Sequence, residues 1–282
     1  MAIKLVIDSS CDINLEEANK LGITLIPMEI RFNDEVFYDG VDLLPKAFYE
    51  KLIENSDLPK TSQINPFRFE EVFEKLTNEG NEVIAITISS KLSGTYNSAV
   101  QAASNFNNNV RVIDSLNASI GERLIILYTL DLIKQGKSID EIVNLVNENK
   151  SRVVVLAMLD TLKYLRKGGR ISSLKAIGGE LLSIKPVVTV KDGEVKLAGK
   201  ARGSKNGNNL LNKLILETGG VDFTMPYGTV YSGFDDSMIK KYIEDNRHLW
   251  EKSTNYIPNY ILGCTIGTHI GPGAIGVAFF KK

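Results

Sequence analysis

The segment Ser89-Ser90-Lys91-Leu92-Ser93-Gly94-Thr95-Tyr96-Asn97-Ser98 concentrates side chains able to hold an anion. It carries five aliphatic hydroxyls, one lysine and one glycine. The apolar run at 83–88 reads as a buried parallel strand, and the small residues at 99–103 favour helix. A loop between two such elements presents unpaired N–H groups and the positive end of a helix dipole. Neither G-x-x-x-x-G-K-[ST] nor G-x-G-x-x-G spacing occurs, so the pattern is neither a phosphate loop nor a dinucleotide fingerprint. Hydroxyls and amides without an arginine fork suit a small, singly charged group such as a carboxylate. A helix cap accounts for one of these serines and leaves the others without a role.

The chain has two histidines. His248 falls in a polar helical stretch and reads as a solvated residue. His269 sits in Thr265-Ile266-Gly267-Thr268-His269-Ile270-Gly271-Pro272-Gly273-Ala274-Ile275-Gly276, where four glycines and a proline predict a tight loop close to a ligand. An imidazole there can donate a hydrogen bond or act as a base. Leu165-Arg166-Lys167-Gly168-Gly169-Arg170-Ile171-Ser172 is a basic patch at a helix end, and Arg202 in Lys200-Ala201-Arg202-Gly203-Ser204-Lys205 adds to it. These cations either complement a helix dipole or meet an acidic partner. Asp8, Asp12 and Asp114 could converge at a sheet edge, but no H-x-x-x-H, C-x-x-C or EF-hand pattern supports a metal. Ser93, His269 and Asp114 are triad types, so a serine hydrolase or acyltransferase is an alternative, although G-x-S-x-G is absent.

The elements that position these residues differ between the halves. Loops at 8–12, 89–98 and 114–119 each follow a strand and precede a helix, and in a parallel sheet they meet at the carboxyl edge. Strands are expected near 4–7, 23–30, 83–88 and 110–113, with a hairpin around Asn33-Asp34. Gly22 should end one helix, while Asn65 and Pro66 should start another. After residue 150 the pattern is a strand at 153–158, helices at 161–167 and 174–182, and a hairpin at Lys191-Asp192-Gly193. A helix at 208–217, a strand at 228–232, a helix at 237–250 and strands at 260–265 and 274–280 follow. The expectation is an α/β chain with an N-terminal domain, 1–155, built on a mainly parallel sheet, and a C-terminal α+β domain, 156–282, with a mixed sheet.

At 282 residues, 43% hydrophobic and 24% charged, the composition is that of a globular protein with a sizeable core. A formal net charge of −1 gives no basic field for nucleic acid. No apolar run approaches the roughly 18 residues that span a bilayer. The N-terminus reaches Asp8 too early for a signal peptide, and two distant cysteines point to reduced thiols in the cytoplasm.

Taken in order, several stretches resemble the DegV family. They are Asp8-Ser9-Ser10, Lys60-Thr61-Ser62-Gln63, Ser89-Ser90-Lys91-Leu92-Ser93-Gly94-Thr95-Tyr96 and Val112-Ile113-Asp114-Ser115. Leu165-Arg166-Lys167-Gly168-Gly169-Arg170-Ile171, Lys185-Pro186 and His269-Ile270-Gly271-Pro272-Gly273 continue the set to the end of the chain. Cys11 stands where members of the family often have another small residue. The resemblance implies two α/β domains with a long-chain fatty acid, such as palmitate, stearate or oleate, between them. It implies that Thr61, Ser93 and His269 hold the carboxylate, with Ser62 and Gly94 beside them and Ser9, Asp114, Ser115 and Gly271 in supporting loops. It implies a non-catalytic subunit with no cofactor, presenting the lipid to a separate fatty acid kinase that makes acyl phosphate for phospholipid synthesis. Arg170 and Arg202 are the expected docking residues for that kinase or for an anionic membrane. A sensor of another small carboxylate is the remaining alternative.

Overall fold

The computed structural model describes residues 2–171, 184–250 and 256–282. β1 (Ile3–Asp8) leads to α1 (Leu15–Leu21), which Asn14 caps at the Glu17 N–H and Gly22 ends in the left-handed region at φ 70°. β2 (Thr24–Ile26) pairs parallel to β1. The single strand expected at 23–30 is two strands in different sheets. Pro27 offers no N–H to a ladder, so β2 stops before it and β3 (Glu29–Phe32) begins a small antiparallel sheet. That sheet adds β4 (Glu35–Tyr38) through the expected turn and, beyond α2 (Pro45–Glu54), β5 (Lys60–Ser62).

α3 (Pro66–Asn78) starts as expected, with Asn65 accepting the Arg68 N–H. β6 (Glu82–Thr87), α4 (Thr95–Ala103), β7 (Val110–Asp114), α5 (Ile120–Lys134) and α6 (Ile139–Asn149) complete this half. The parallel strands lie in the order β2-β1-β6-β7. Their side chains alternate between two cores, as a sheet covered on both faces requires. Leu5, Ile7, Ile84 and Ile86 pack with Leu124 and Ile142 of α5 and α6. Val6, Val83 and Ala85 pack with Phe69 and Ala99 of α3 and α4 on the other face.

The second half supplies β8 (Val153–Met158), α7 (Lys163–Lys167), β9 (Ile184–Lys191), β10 (Glu194–Arg202) and α8 (Gly203–Glu217). It continues with β11 (Tyr227–Tyr231), α9 (Ser237–Asp245), β12 (Asn259–Ile261), α10 (Cys264–Ile270) and β13 (Ile275–Phe280). The mixed sheet has the order β10-β9-β8-β13-β11-β12, with only β11 and β12 parallel. The change of sheet therefore precedes Val153, and a boundary after residue 155 falls inside β8. Asp192 and Gly193 take φ of 55° and 81° at the β9–β10 turn, the backbone that a tight hairpin needs.

Three local expectations shift. α7 begins at Lys163 rather than 161, and α8 at Gly203 rather than 208. The helix expected at 237–250 ends at Asp245, and a 3-10 turn at Arg247–Trp250 follows. The helix expected at 174–182 lies outside the described residues. One face of the mixed sheet packs against α8 and α9, where Leu211 and Ile239 join Leu156, Val187 and Val277. The other face lies on α5, which is apolar nearly all round because it is buried between both large sheets. Among the described residues no helix is long and apolar enough to cross a membrane.

Candidate functional site

A pocket lies between the loop edge of the parallel sheet and the α5-facing side of the mixed sheet. Thr61, Ser62, Ser93, Gly94, Arg170 and His269 are among the residues that line it. Ile88, Ile120, Val155, Val188, Val230 and Ile266 are among the apolar residues that line the rest. Ser93 and His269, from the two stretches that pointed to an anion, therefore line one pocket, and His269 meets Thr61, 208 residues away in the chain. Thr61 comes from β5, whose register on β3 pairs it with Ile30.

His269 is not in a loop. It occupies the last turn of α10, and the strand expected to reach 265 ends at Ile261. The helix forms there because its first amides find acceptors far away in sequence. Asp12 accepts the Gly263 N–H at 2.8 Å, and the Asp39 carboxylate takes those of Cys264 and Thr265 at 3.1 and 3.0 Å. These carboxylates also complement the positive end of the helix dipole. Burial pushes Asp12 up to about 7 and raises Asp39 above the ordinary carboxylate range.

The His269 Nε2 lies 3.0 Å from Thr61 Oγ1, and either atom can be the donor. Burial, with a smaller contribution from the Arg170 charge, lowers the imidazole to about 4, so it is neutral at pH 7. Its Nδ1 is buried without a partner among the described residues and lies against Gly168, where a Cβ would overlap it. Gly271, at φ 75°, likewise leaves room for the Tyr164 ring. The glycines of the basic stretch and of the His-x-Gly-Pro-Gly stretch thus let α7 and α10 approach closely.

Ser93 Oγ is 2.9 Å from Thr95 Oγ1 and accepts the Thr95 N–H at 3.2 Å. Thr95 Oγ1 accepts the Ile64 N–H at 3.3 Å, which ties this loop to the Thr61-Ser62-Gln63 segment. Gly94 is the N-cap of α4 and has no side chain to cap it; Ser93 takes the Thr95 N–H of that helix end. A Cβ on Gly94 would overlap the Gln63 amide, so the position is glycine for space rather than for backbone conformation. Arg170 reaches across the pocket, donating from Nε to Leu92 O at 3.3 Å and from Nη1 to Gly168 O at 2.7 Å.

Other expected residues lie elsewhere. Ser9 is buried and accepts the Met28 N–H at 3.0 Å. Asp114 accepts the N–H groups of Ser90 and Leu116 at 3.2 and 2.9 Å. Ser115 donates to Asn117 O at 3.0 Å. None of these three lines the pocket; they fix the loops that do. Arg202 is exposed where β10 passes into α8, away from the pocket lining. The Ser93–His269–Asp114 combination is not assembled, since each member is hydrogen-bonded to another group. Asp39, Gly168 and Gln63 were given no role from sequence. Their effect is on α10, on the imidazole and on Gly94, and only the tertiary structure reveals it.

The fold has known counterparts. The family model described as uncharacterised protein, DegV family, matches residues 2–282. A DegV domain-containing protein of Caldanaerobacter subterraneus is 36% identical, with 99% of each chain covered. The structure of a DegV family protein from Thermus thermophilus, described as fatty acid binding, superimposes with a TM-score of 0.89 at 30% identity, covering 100% of both chains. Bacillus subtilis DegV, described as a fatty acid binding protein, gives a TM-score of 0.85 at 30% identity, again over 100% of both chains. From end to end, in sequence and in fold, this chain belongs to the DegV family.

Proposed function

We propose that this protein binds a long-chain fatty acid in the pocket between its parallel and mixed sheets, with the carboxylate held by Thr61, Ser93 and His269. The observation that carries the reading is the Thr61–His269 pair, which lines with Ser93 a pocket whose remaining walls are mostly apolar. A carboxylate leaving water needs hydrogen-bond donors in exchange, and two hydroxyls, a neutral imidazole and the α4 N-terminus at Gly94 can offer them. Each buried methylene then favours binding by about 0.8 kcal/mol. The fatty acid binding of the Thermus thermophilus and Bacillus subtilis relatives supports the same ligand class.

In this reading Ser62 and Gly94 flank the carboxylate, and two domains meeting near residue 155 enclose the lipid. The protein is a cytoplasmic, non-catalytic carrier, and its buried Cys11 and Cys264 are free thiols. It presents the carboxylate to a separate kinase, which phosphorylates it to an acyl phosphate for phospholipid synthesis. Arg170 and Arg202 dock that kinase or an anionic membrane. Titration of palmitate or oleate into the wild type and into Thr61→Ala, Ser93→Ala and His269→Ala tests the site. Each variant should lose about 1.5–3 kcal/mol of binding, the range for a hydrogen bond to a charged group. Unchanged affinity in all three would remove the carboxylate site. Reversing charge at Arg202, which lies away from the pocket lining, should weaken coupling to the kinase while a fatty acid still binds; intact coupling would overturn its docking role.

A further inference from the structure

The wall of the pocket is incomplete on one side. β8 pairs with β13 along its whole length, from Val153 to Met158. With β9 it pairs only through Leu156, Ala157 and Met158, and the last partner on β9 is Thr189. Both strands continue past this point, β8 back to Val153 and β9 on to Lys191. They diverge because the β9–β10 hairpin leans away to dock its tip on the other half of the molecule. There Ser89 Oγ donates to Gly193 O at 2.7 Å, and a Cβ on Gly193 would press on Ser89, Lys91 and Leu116. Among the described residues the β8 and β9 edges that flank the resulting fork are not paired with each other.

A groove occupies the fork from outside. Thr189 and Val190 line both this groove and the acyl pocket. Val155 lines the pocket, whereas Val154 and Leu156 line the groove from the opposite face of the strand; Val153, on the face of Val155, lines the groove as well. Thr61, Ser93 and His269 line the pocket alone, so what reaches the fork from inside is hydrocarbon, not carboxylate. Farther out, the groove is bordered by Lys150, Ser151 and Lys191.

We propose that the acyl pocket has a second opening, between β8 and β9, through which the tail of a long acyl chain passes into this groove. It sets the protein's chain-length range: chains that fill the pocket are held within it, and longer ones are admitted with their ends outside. The proposal rests on the fatty-acid reading of the pocket.

Cysteine introduced along the groove reports the tail directly. Ser151→Cys and Lys191→Cys, both exposed positions, are mixed with ω-bromo behenic acid or ω-bromo palmitic acid, with Lys134→Cys on the far end of α5 as control. Binding is read by native mass spectrometry and alkylation by peptide mapping. In the labelling step the thiolate forms a carbon–sulfur bond as the carbon–bromine bond breaks and bromide leaves. The behenic probe should add one acyl mass at position 151 or 191 and none at 134. The palmitic probe should bind without labelling either groove position. Binding of the behenic probe with neither groove cysteine labelled would overturn the opening. So would retention of the palmitic probe alone, since a closed pocket would then exclude the longer chain. Failure of the palmitic probe to bind at all would overturn the fatty-acid reading itself, and the opening with it.

Discussion

His269 is the side chain on which the site turns, and its protonation is measurable. Burial holds it near 4 in the fold against an ordinary value of 6.5. The unfolded chain therefore binds an extra proton between those values, and stability falls as pH drops from about 6.5 to about 4. The whole shift corresponds to about 3 kcal/mol. Thermal unfolding of wild type and His269→Ala should show their stability difference moving against the wild type over that interval. A difference independent of pH would mean that the imidazole is charged in the fold. Asp8 and Asp12 work in the opposite sense. Burial raises them to about 6 and about 7, so each makes the fold less stable as pH rises from about 4 toward those values. The histidine contribution must for that reason be read from the variant and not from the wild-type curve alone. Gly168→Ala tests the same side chain sterically. Its methyl would displace the imidazole, and a small-to-large change of this kind costs about 1–3 kcal/mol. Fatty-acid affinity should fall in that variant while the far-UV circular dichroism stays native; unchanged affinity would place the imidazole outside the binding contacts.

At the scale of elements, α10 carries the histidine, and Asp39 holds the first turn of α10. Asp39→Ala removes the acceptor of two helix amides and should cost about 0.5–2 kcal/mol, the range for losing a helix cap. Asp39→Asn keeps one oxygen and should recover part of that loss. Equal melting temperatures for Asp39→Ala and wild type would show that the cap does not stabilise α10. The same element shows what local sequence can reveal. Gly22, Asn65-Pro66 and Asp192-Gly193 were legible because each carries its instruction within a few residues: a left-handed stop, an N-cap with a fixed φ, and a hairpin turn. The helix at Cys264–Ile270 was not legible, since its acceptors lie at Asp12 and Asp39, more than two hundred residues earlier. The hydroxyl loop and His269 could be recognised by composition, but their meeting through β5 depends on a strand of three residues. Ser9, Asp114 and Ser115, expected in supporting loops, act there because short polar side chains satisfy nearby backbone groups.

For the whole molecule, α5 decides how the two halves behave. Ile120, Leu124 and Ile125 belong to one core with Ile7 and Ile84 of the parallel sheet and Val155 and Ala278 of the mixed sheet. Arg123 is buried beside them, ion-paired with Glu17, donating to Asp12 O and stacked 3.8 Å from the Tyr260 ring centroid. A shared core of this kind couples the halves into a single unfolding unit. Fluorescence of Trp250, the one tryptophan and a core residue of the second half, should report the same denaturant midpoint as the circular dichroism of the whole chain. Two separate midpoints would mean that the halves unfold independently. The pocket lies where these halves meet, so a bound lipid would touch both and raise that common midpoint.

Native mass spectrometry of the purified protein, followed by extraction and identification of any released lipid, bears on the fatty-acid reading without intermediate assumptions. One long-chain fatty acid per chain is expected in the wild type, and its loss in Ser93→Ala/His269→Ala. A wild-type protein that carries no lipid and takes up neither added palmitate nor added oleate would contradict it.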